Sequence, residues 1–186
     1  VALRGGCIVG VLPMFLVRGP IIGRMLVSVP YAVGGGILAD DEEAVSVLFS
    51  EARQRAMASR CTMIDLRSER SCVPTLPVVD QYVGFERELP GSVGEVAEWL
   101  PRKARAVVRN AQNKFGLKCE FSPDLLSVVW ELYCRNMRRL ASINYPYRFL
   151  ERLLAEFQEL CWICVVRRGG RPVAGLMTFL FRDRVL

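Results

Sequence analysis

The sequence predicts an α+β fold with helices beside mixed, largely antiparallel sheets, and three observations point to it. Short apolar segments rich in β-branched residues alternate with Gly- and Pro-containing turns over residues 1–40. Apolar side chains recur at helical spacing after residues 40, 101, 122 and 146. Two apolar segments flank a Gly-Gly turn near residue 170. The 186 residues suffice for two small domains, and both halves share this plan.

The first half is predicted to contain strands, one helix and further strands. Cys7–Val17 and Met25–Val29 predict a hairpin, which is followed by a loop with Pro30 and three glycines. Asp40 is the predicted N-cap of a helix, because acids fill the first turn and an apolar face follows. That apolar face comprises Ala44, Val47, Leu48 and Ala52. Cys61–Arg67 and Tyr82–Leu89 are the remaining predicted strands.

The second half is predicted to begin with helices and to end with a hairpin. Pro101 marks a helix start and Gly116 its end. The apolar stripe between them comprises Ala104, Val107, Val108, Ala111 and Phe115. Next come a short strand at Leu117–Phe121, a long helix after Ser122 and another helix after Pro146. Strands Cys161–Arg167 and Arg171–Phe181 form the hairpin, and Arg184–Val185 begins a further strand.

Composition excludes several classes of site. The chain has no histidine, so His-based catalytic triads and His-containing zinc sites are ruled out, and no metal site is predicted. Seven cysteines without regular spacing do not suit a disulfide framework and favour a reducing, cytoplasmic environment. The longest apolar run, Cys7–Val17, is too short to span a bilayer. We therefore expect no transmembrane segment.

Positive charge is concentrated in the middle of the chain. Residues 1–100 carry nine arginines and 12 acids, whereas residues 101–152 carry 11 basic residues and four acids. Arg102, Arg105 and Arg109 lie on one flank of the predicted helix, and Arg139 belongs to the same basic segment. Guanidinium groups bind phosphates and carboxylates through paired hydrogen bonds, which favours an anionic substrate. The alternative is a solvated helix face paired with Glu98, Glu131 and Glu151.

The glycines that precede the acidic helix allow two interpretations. Gly34, Gly35 and Gly36 lack the Lys-Ser/Thr of a P-loop and the spacing of a dinucleotide fingerprint. The acids from Asp40 to Glu43 would repel a phosphate at the helix N-terminus. The loop is therefore either a place where a substrate approaches the backbone closely or a simple connecting turn.

Other candidate features have plain structural alternatives. Cys161 and Cys164 are three apart on a predicted strand and point to opposite faces, which favours core packing over metal or redox chemistry. The segment Tyr145–Arg148 either lines a pocket or closes the end of a helical pair. The candidate general bases are Asp65, Glu69, Glu86 and Glu88, and their spacing selects none of them.

Several segments together resemble a known family. They are Pro101–Ala111, Leu132–Tyr133 with Asn136–Leu140, Gly170–Gly175, and, in the first half, Ser28–Tyr31 with Gly34–Ala39. The chain resembles the FemAB-like branch of the GNAT acyltransferase superfamily, and more narrowly the FemAB proteins associated with exosortase/PEP-CTERM exopolysaccharide loci.

The resemblance implies two GNAT-like lobes, both incomplete. Residues 1–90 correspond to the first lobe without its beginning, 91–100 to a linker, and 101–186 to the second lobe without its end. Acyl-CoA or aminoacyl-tRNA is the donor that the family implies, although no Arg/Gln-x-x-Gly-x-Gly/Ala motif is present. We expect the fragment by itself to be inactive.

Two classes of function follow. The first is acyl or aminoacyl transfer to a cell-envelope or exopolysaccharide precursor, such as a peptidoglycan precursor. In that hypothesis Arg102, Arg105, Arg109 and Arg139 bind an anionic small molecule, an envelope precursor or tRNA, while Tyr31, Gly34 and Gly35 line the other side of the cleft. No catalytic residue is assigned. The second is a non-catalytic basic module that binds RNA or an anionic membrane surface.

Overall fold

The computed structural model describes residues 1–32, 34–68, 71–79 and 83–186. The chain divides into two compact units, Val1–Phe85 (unit 1) and Glu86–Leu186 (unit 2). Unit 1 contains β1 (Ala2–Arg4), β2 (Cys7–Val11), β3 (Phe15–Gly19), β4 (Gly23–Val27), β5 (Leu38–Ala39), α1 (Glu42–Ala58) and β6 (Met63–Asp65). Unit 2 contains α2 (Val96–Trp99), α3 (Arg102–Asn113), β7 (Lys118–Phe121), α4 (Leu126–Arg139), α5 (Tyr147–Phe157), β8 (Cys161–Arg168), β9 (Arg171–Phe181) and β10 (Arg184–Val185).

Unit 1 has two small sheets that share one helix. The first sheet is antiparallel, in the order β1-β2-β5. The second has the order β3-β4-β6, in which β3 and β4 form the predicted hairpin and β6 runs parallel to β4. The predicted strand Cys7–Val17 is therefore two strands. They are separated at Pro13, which has no N–H to donate to a continuous ladder.

Helix α1 covers both sheets of unit 1 with residues spaced four apart. Ala44 and Leu48 pack with Ala2 and Ile37 in one core cluster, while Ala52 and Ala56 pack on Leu26 of β4 in a second. Residues four apart lie on the same face of a helix, so a single stripe serves two cores. The prediction that Val47 belongs to this face is wrong, since its side chain is 55% exposed.

Unit 2 is built on a four-stranded antiparallel sheet in the order β10-β9-β8-β7. The β8–β9 hairpin forms where the sequence predicts it. Val165 and Ile163 of β8 are almost completely buried, and they pack with Leu125, Leu126 and Val129 at the start of α4. This cluster is the core of the unit, against which α5 also packs through Leu150 and Leu154.

Two further predictions, one about a strand and one about a helix face, differ from the structure. The predicted strand Tyr82–Leu89 does not form, because residues 83–89 have no regular secondary structure; Tyr82 lies outside the described residues. Helix α3 does form, and Gly116 ends it with a positive φ of 59° that a side chain would disfavour. Its apolar stripe, however, is not buried: Val107 is 67% exposed and Val108 44%.

Candidate functional site

The first candidate site is the loop that leaves the carboxyl end of β4 in unit 1. Strands β4 and β6 are parallel, so both end at the same edge of their sheet. Ser28, directly after β4, is completely buried. Its backbone N–H donates to the Asp65 carbonyl at 2.9 Å, and its Oγ accepts a 2.8 Å hydrogen bond from the Arg67 N–H. The loop is thereby tied to the end of β6.

Arg67 holds the next part of this loop. Its guanidinium donates to the Pro30 carbonyl at 2.6 Å and to the Asp65 carboxylate at 3.1 Å. Val29 adopts a positive φ of 46°, and its carbonyl accepts a hydrogen bond from the Ala32 N–H. Tyr31 projects from this turn and is 63% exposed. One charged side chain and one buried hydroxyl thus shape the loop that presents Tyr31.

The glycines of the loop are explained largely by the chain's own packing. A Cβ on Gly35 would lie 2.9 Å from Cγ2 of Val29. Gly36 has a φ of +92°, and a Cβ added there would collide with the Ser68 side chain. Gly34 also has a positive φ, 75°. The packing of the chain therefore supports the interpretation of Gly35 and Gly36 as parts of a connecting turn. Tyr31, in contrast, has an exposed side chain. Val33 lies outside the described residues.

The N-terminus of α1 is satisfied by carboxylates of the chain itself. Asp41 caps the helix by accepting a hydrogen bond from the Ala44 N–H, so the prediction of Asp40 as the cap is wrong by one residue. Arg4 of β1 forms ion pairs of 2.7 Å with both Asp41 and Glu43. Hydrogen bonding by Arg4 and by the Ala44 N–H lowers the pKa of Asp41 to about 2. The chain's own carboxylates, paired with Arg4, thus occupy the place where an anion would bind a helix N-terminus.

The second candidate site is the arginine flank of α3 in unit 2. Arg102 and Arg109 are exposed and Arg105 is half-buried. Within the part of the chain that the structure describes, these three side chains form no ion pair and no side-chain hydrogen bond. Their suggested acidic partners do not contact them, and Glu131 instead pairs with Arg135 at 3.5 Å. The three cations are available to a ligand.

Arg139 does not join this flank through any hydrogen bond. It lies in the last turn of α4 and donates to the Asn136 side chain at 3.0 Å, one turn earlier on the same helix. Cations at a helix C-terminus are favoured by the helix dipole. Arg139 thus has a local structural role, and its participation in substrate binding stays a prediction.

A groove beside α4 was not singled out from the sequence. It has a volume of about 570 Å³ and is lined by Trp130, Cys134, Arg138, Ser142 and Asn144, among others. The signal that could have revealed it is the spacing of Trp130, Cys134 and Arg138, which lie four apart on one helix face.

The aromatic segment between α4 and α5 closes the helical pair. The Tyr145 carbonyl accepts hydrogen bonds from the Trp130 indole and the Asn144 amide, both at 3.1 Å. Tyr145 stacks on Tyr133, and Tyr147 packs edge-on against Trp130. The interpretation of these aromatics as a structural closure is confirmed.

The cysteines and acids behave as ordinary structural groups. Cys161 and Cys164 are buried, and burial raises the pKa of each thiol; Cys119 raises that of Cys164 further. Among the described residues no cluster of three or more metal-ligating side chains occurs. Asp65 pairs with Arg67 and Glu86 with Arg184, so neither is a free carboxylate. Glu69 lies outside the described residues.

Comparison with known proteins gives a family match in unit 2. Residues 102–186 match the family model of the acetyltransferase (GNAT) domain. This match supports the GNAT superfamily and a transferase activity, and the antiparallel sheet with flanking helices is consistent with that fold. No curated protein matches the chain. No helix among the described residues has the length and apolar character needed to cross a bilayer.

Proposed function

We propose that this chain is part of an acyl- or aminoacyltransferase of the FemAB type that acts on a cell-envelope or exopolysaccharide precursor. The domain match supports acyl transfer. The resemblance of Ser28–Tyr31 and Gly34–Ala39 to the first lobe of FemAB proteins supports a tandem arrangement of two GNAT-like lobes. Acyl-CoA or aminoacyl-tRNA is the proposed donor, and the cytoplasm the proposed location.

The single observation that carries the binding part of the proposal is the unpaired arginine flank of α3. Three guanidinium groups at spacings of three and four residues point along one side of a helix, and no acid occurs between residues 102 and 119. An unpaired guanidinium donates paired hydrogen bonds to a phosphate or carboxylate. The flank therefore suits the phosphate groups that CoA, tRNA and nucleotide-linked or lipid-linked precursors share.

The chemistry we propose depends mainly on positioning, so the lack of histidine in this chain is no obstacle to it. The amine or hydroxyl of the acceptor attacks the acyl carbonyl carbon. The tetrahedral intermediate then breaks its bond to the CoA sulfur or the tRNA ribose oxygen, and that leaving group takes up the proton that the acceptor loses. Fixing both substrates and stabilising the oxyanion can account for a large part of such a rate enhancement. Tyr31, Gly34 and Gly35 of unit 1 are proposed to contact the substrate as well.

The test is the double variant Arg105→Ala/Arg109→Ala, assayed for binding of acetyl-CoA and of aminoacyl-tRNA. Loss of two charge-assisted contacts should weaken binding of the true donor by about 10- to 100-fold. The matched control is Arg148→Ala/Arg152→Ala, which removes the same charge from α5 of the same unit. We expect the control to change donor binding by no more than about threefold. It removes positive charge away from the proposed site, so it alters only the long-range electrostatic attraction of the donor. If the two double variants weakened donor binding equally, α3 would contribute only its positive charge, and the proposal of a specific binding site on α3 would be wrong.

A further inference from the structure

Helix α3 exposes apolar side chains that an ordinary surface helix buries. None of its residues, Arg102–Asn113, all of which the structure describes, is buried. Val107 is 67% exposed, Val108 44%, and Phe115 just after the helix 45%. By contrast, α1 and α4 bury side chains in the cores of their units, and α5 packs against the core of unit 2. Ala104 and Ala111 of the same stripe are half-buried, so its two valines are the part that a partner can reach.

The charges around this stripe lie on both of its flanks. At about 100° per residue, Ala104, Val107, Val108 and Ala111 form one sector of the helix. Arg105 and Gln112 border that sector on one side, and Lys103 and Lys114 border it on the other. The side opposite the stripe carries Arg102, Ala106, Arg109 and Asn113. With no acid between residues 102 and 119, the stripe is bordered on both sides by positive charge alone.

Phe115 extends the same arrangement beyond the helix. The Lys114 ammonium lies 5.7 Å from the centre of its ring, and the Arg168 guanidinium, from the end of β8, lies 5.2 Å away. An aromatic ring between cations resembles the side chains found at the boundary between lipid headgroups and acyl chains. The ring, the valines and the flanking cations therefore form one mixed apolar and basic surface.

We propose that α3 binds the surface of a bilayer rich in anionic lipids. The valines and Phe115 would enter the boundary between headgroups and acyl chains, while the long Lys and Arg side chains reach up to the phosphates. Charge complementarity selects this partner, because an apolar protein groove does not require basic residues on both flanks of the helix. The inference does not depend on the acyl-transfer proposal, since binding to lipid needs neither donor nor acceptor.

The experiment is co-sedimentation of the 186-residue chain with vesicles of pure phosphatidylglycerol and of pure phosphatidylcholine. We expect binding to the anionic vesicles, which decreases as salt is added, and little binding to the zwitterionic ones. Hydrogen exchange at residues 102–113 should slow when anionic vesicles are present. This second readout needs no substitution. Absence of binding to phosphatidylglycerol, or binding without protection of α3, overturns the proposal.

Two variants separate insertion from simple charge attraction. Val107→Gln/Val108→Gln leaves every charge in place and should lower partitioning by about tenfold or more, because the apolar contribution is lost. Val47→Gln on α1 changes a valine of similar exposure on a helix whose first turn is acidic, and should leave partitioning unchanged. If the valine pair has no effect and single-stranded RNA displaces the vesicles, the helix is a polyanion-binding surface and the membrane proposal is wrong.

Discussion

Replacing Ser28 by alanine tests whether one buried hydroxyl holds the loop that presents Tyr31. Ser28 is completely buried, and its Oγ is the acceptor for the Arg67 N–H at 2.8 Å. Alanine removes that acceptor, and water does not reach the position to replace it. An N–H that points into a buried position and loses its partner there costs about 1–3 kcal/mol. The free energy of unfolding of unit 1 should decrease by that amount.

The matched control is Ser71→Ala. The Ser71 hydroxyl donates to the Val73 carbonyl at 3.3 Å in an exposed position, where water can take its place. Exposed substitutions of this kind usually change stability by less than about 0.5 kcal/mol. The same atom is deleted in both variants, so the difference between them reports burial and hydrogen bonding.

The assay must distinguish the two units. All three tryptophans, Trp99, Trp130 and Trp162, lie in unit 2, so tryptophan fluorescence does not report directly on unit 1. Hydrogen exchange at β4 and β6 under increasing urea gives the stability of the sheet that Ser28 joins to Arg67. Faster exchange is expected there and in residues 28–32. A Ser28→Ala effect as small as that of Ser71→Ala would refute the reasoning.

Two further predictions follow from the pKa shifts. Asp41 has a folded pKa of about 2 against an ordinary 3.8, so its stabilising contribution is complete above pH 3.8 and is lost as the pH falls towards 2. Asp41→Asn should therefore flatten the pH dependence of unit 1 stability in that range, measured by acid titration with circular dichroism; an unchanged slope would contradict it. Cys161 and Cys164 are buried and their thiol pKa values are raised, so we expect these two cysteines of the native chain to react most slowly with iodoacetamide at pH 8. Cys7 and Cys72 are exposed and should be among the fastest to react. Peptide mass spectrometry measures the order of reaction, and early modification of Cys164 would show that β8 is less protected than the structure indicates.

Much of unit 2 could be predicted from local sequence. Pro101, Gly116 and Pro146 lie at the helix boundaries that they predict, and the Gly169-Gly170 turn joins the two strands around it. These signals act over a few residues, since proline lacks an N–H and glycine tolerates positive φ. The strand predicted at Tyr82–Leu89 does not form, because strand formation depends on more than local signals. A strand requires a partner, and alternation of side chains does not supply one.

In unit 1 the sequence alone predicted the hairpin and the acidic helix, and it predicted that a phosphate would not bind at the N-terminus of that helix. These predictions were possible because charge and periodicity are properties of neighbouring residues. Only the tertiary structure showed that Arg4 neutralises Asp41 and Glu43, and that Ser28 and Arg67 join the ends of β4 and β6. Those partners are 37 or more residues apart in sequence, and a periodic pattern carries no information about contacts at that separation. The exposure of the α3 stripe is of the same kind. The sequence established that the helix has an apolar side, whereas only packing in three dimensions decided that this side is left uncovered.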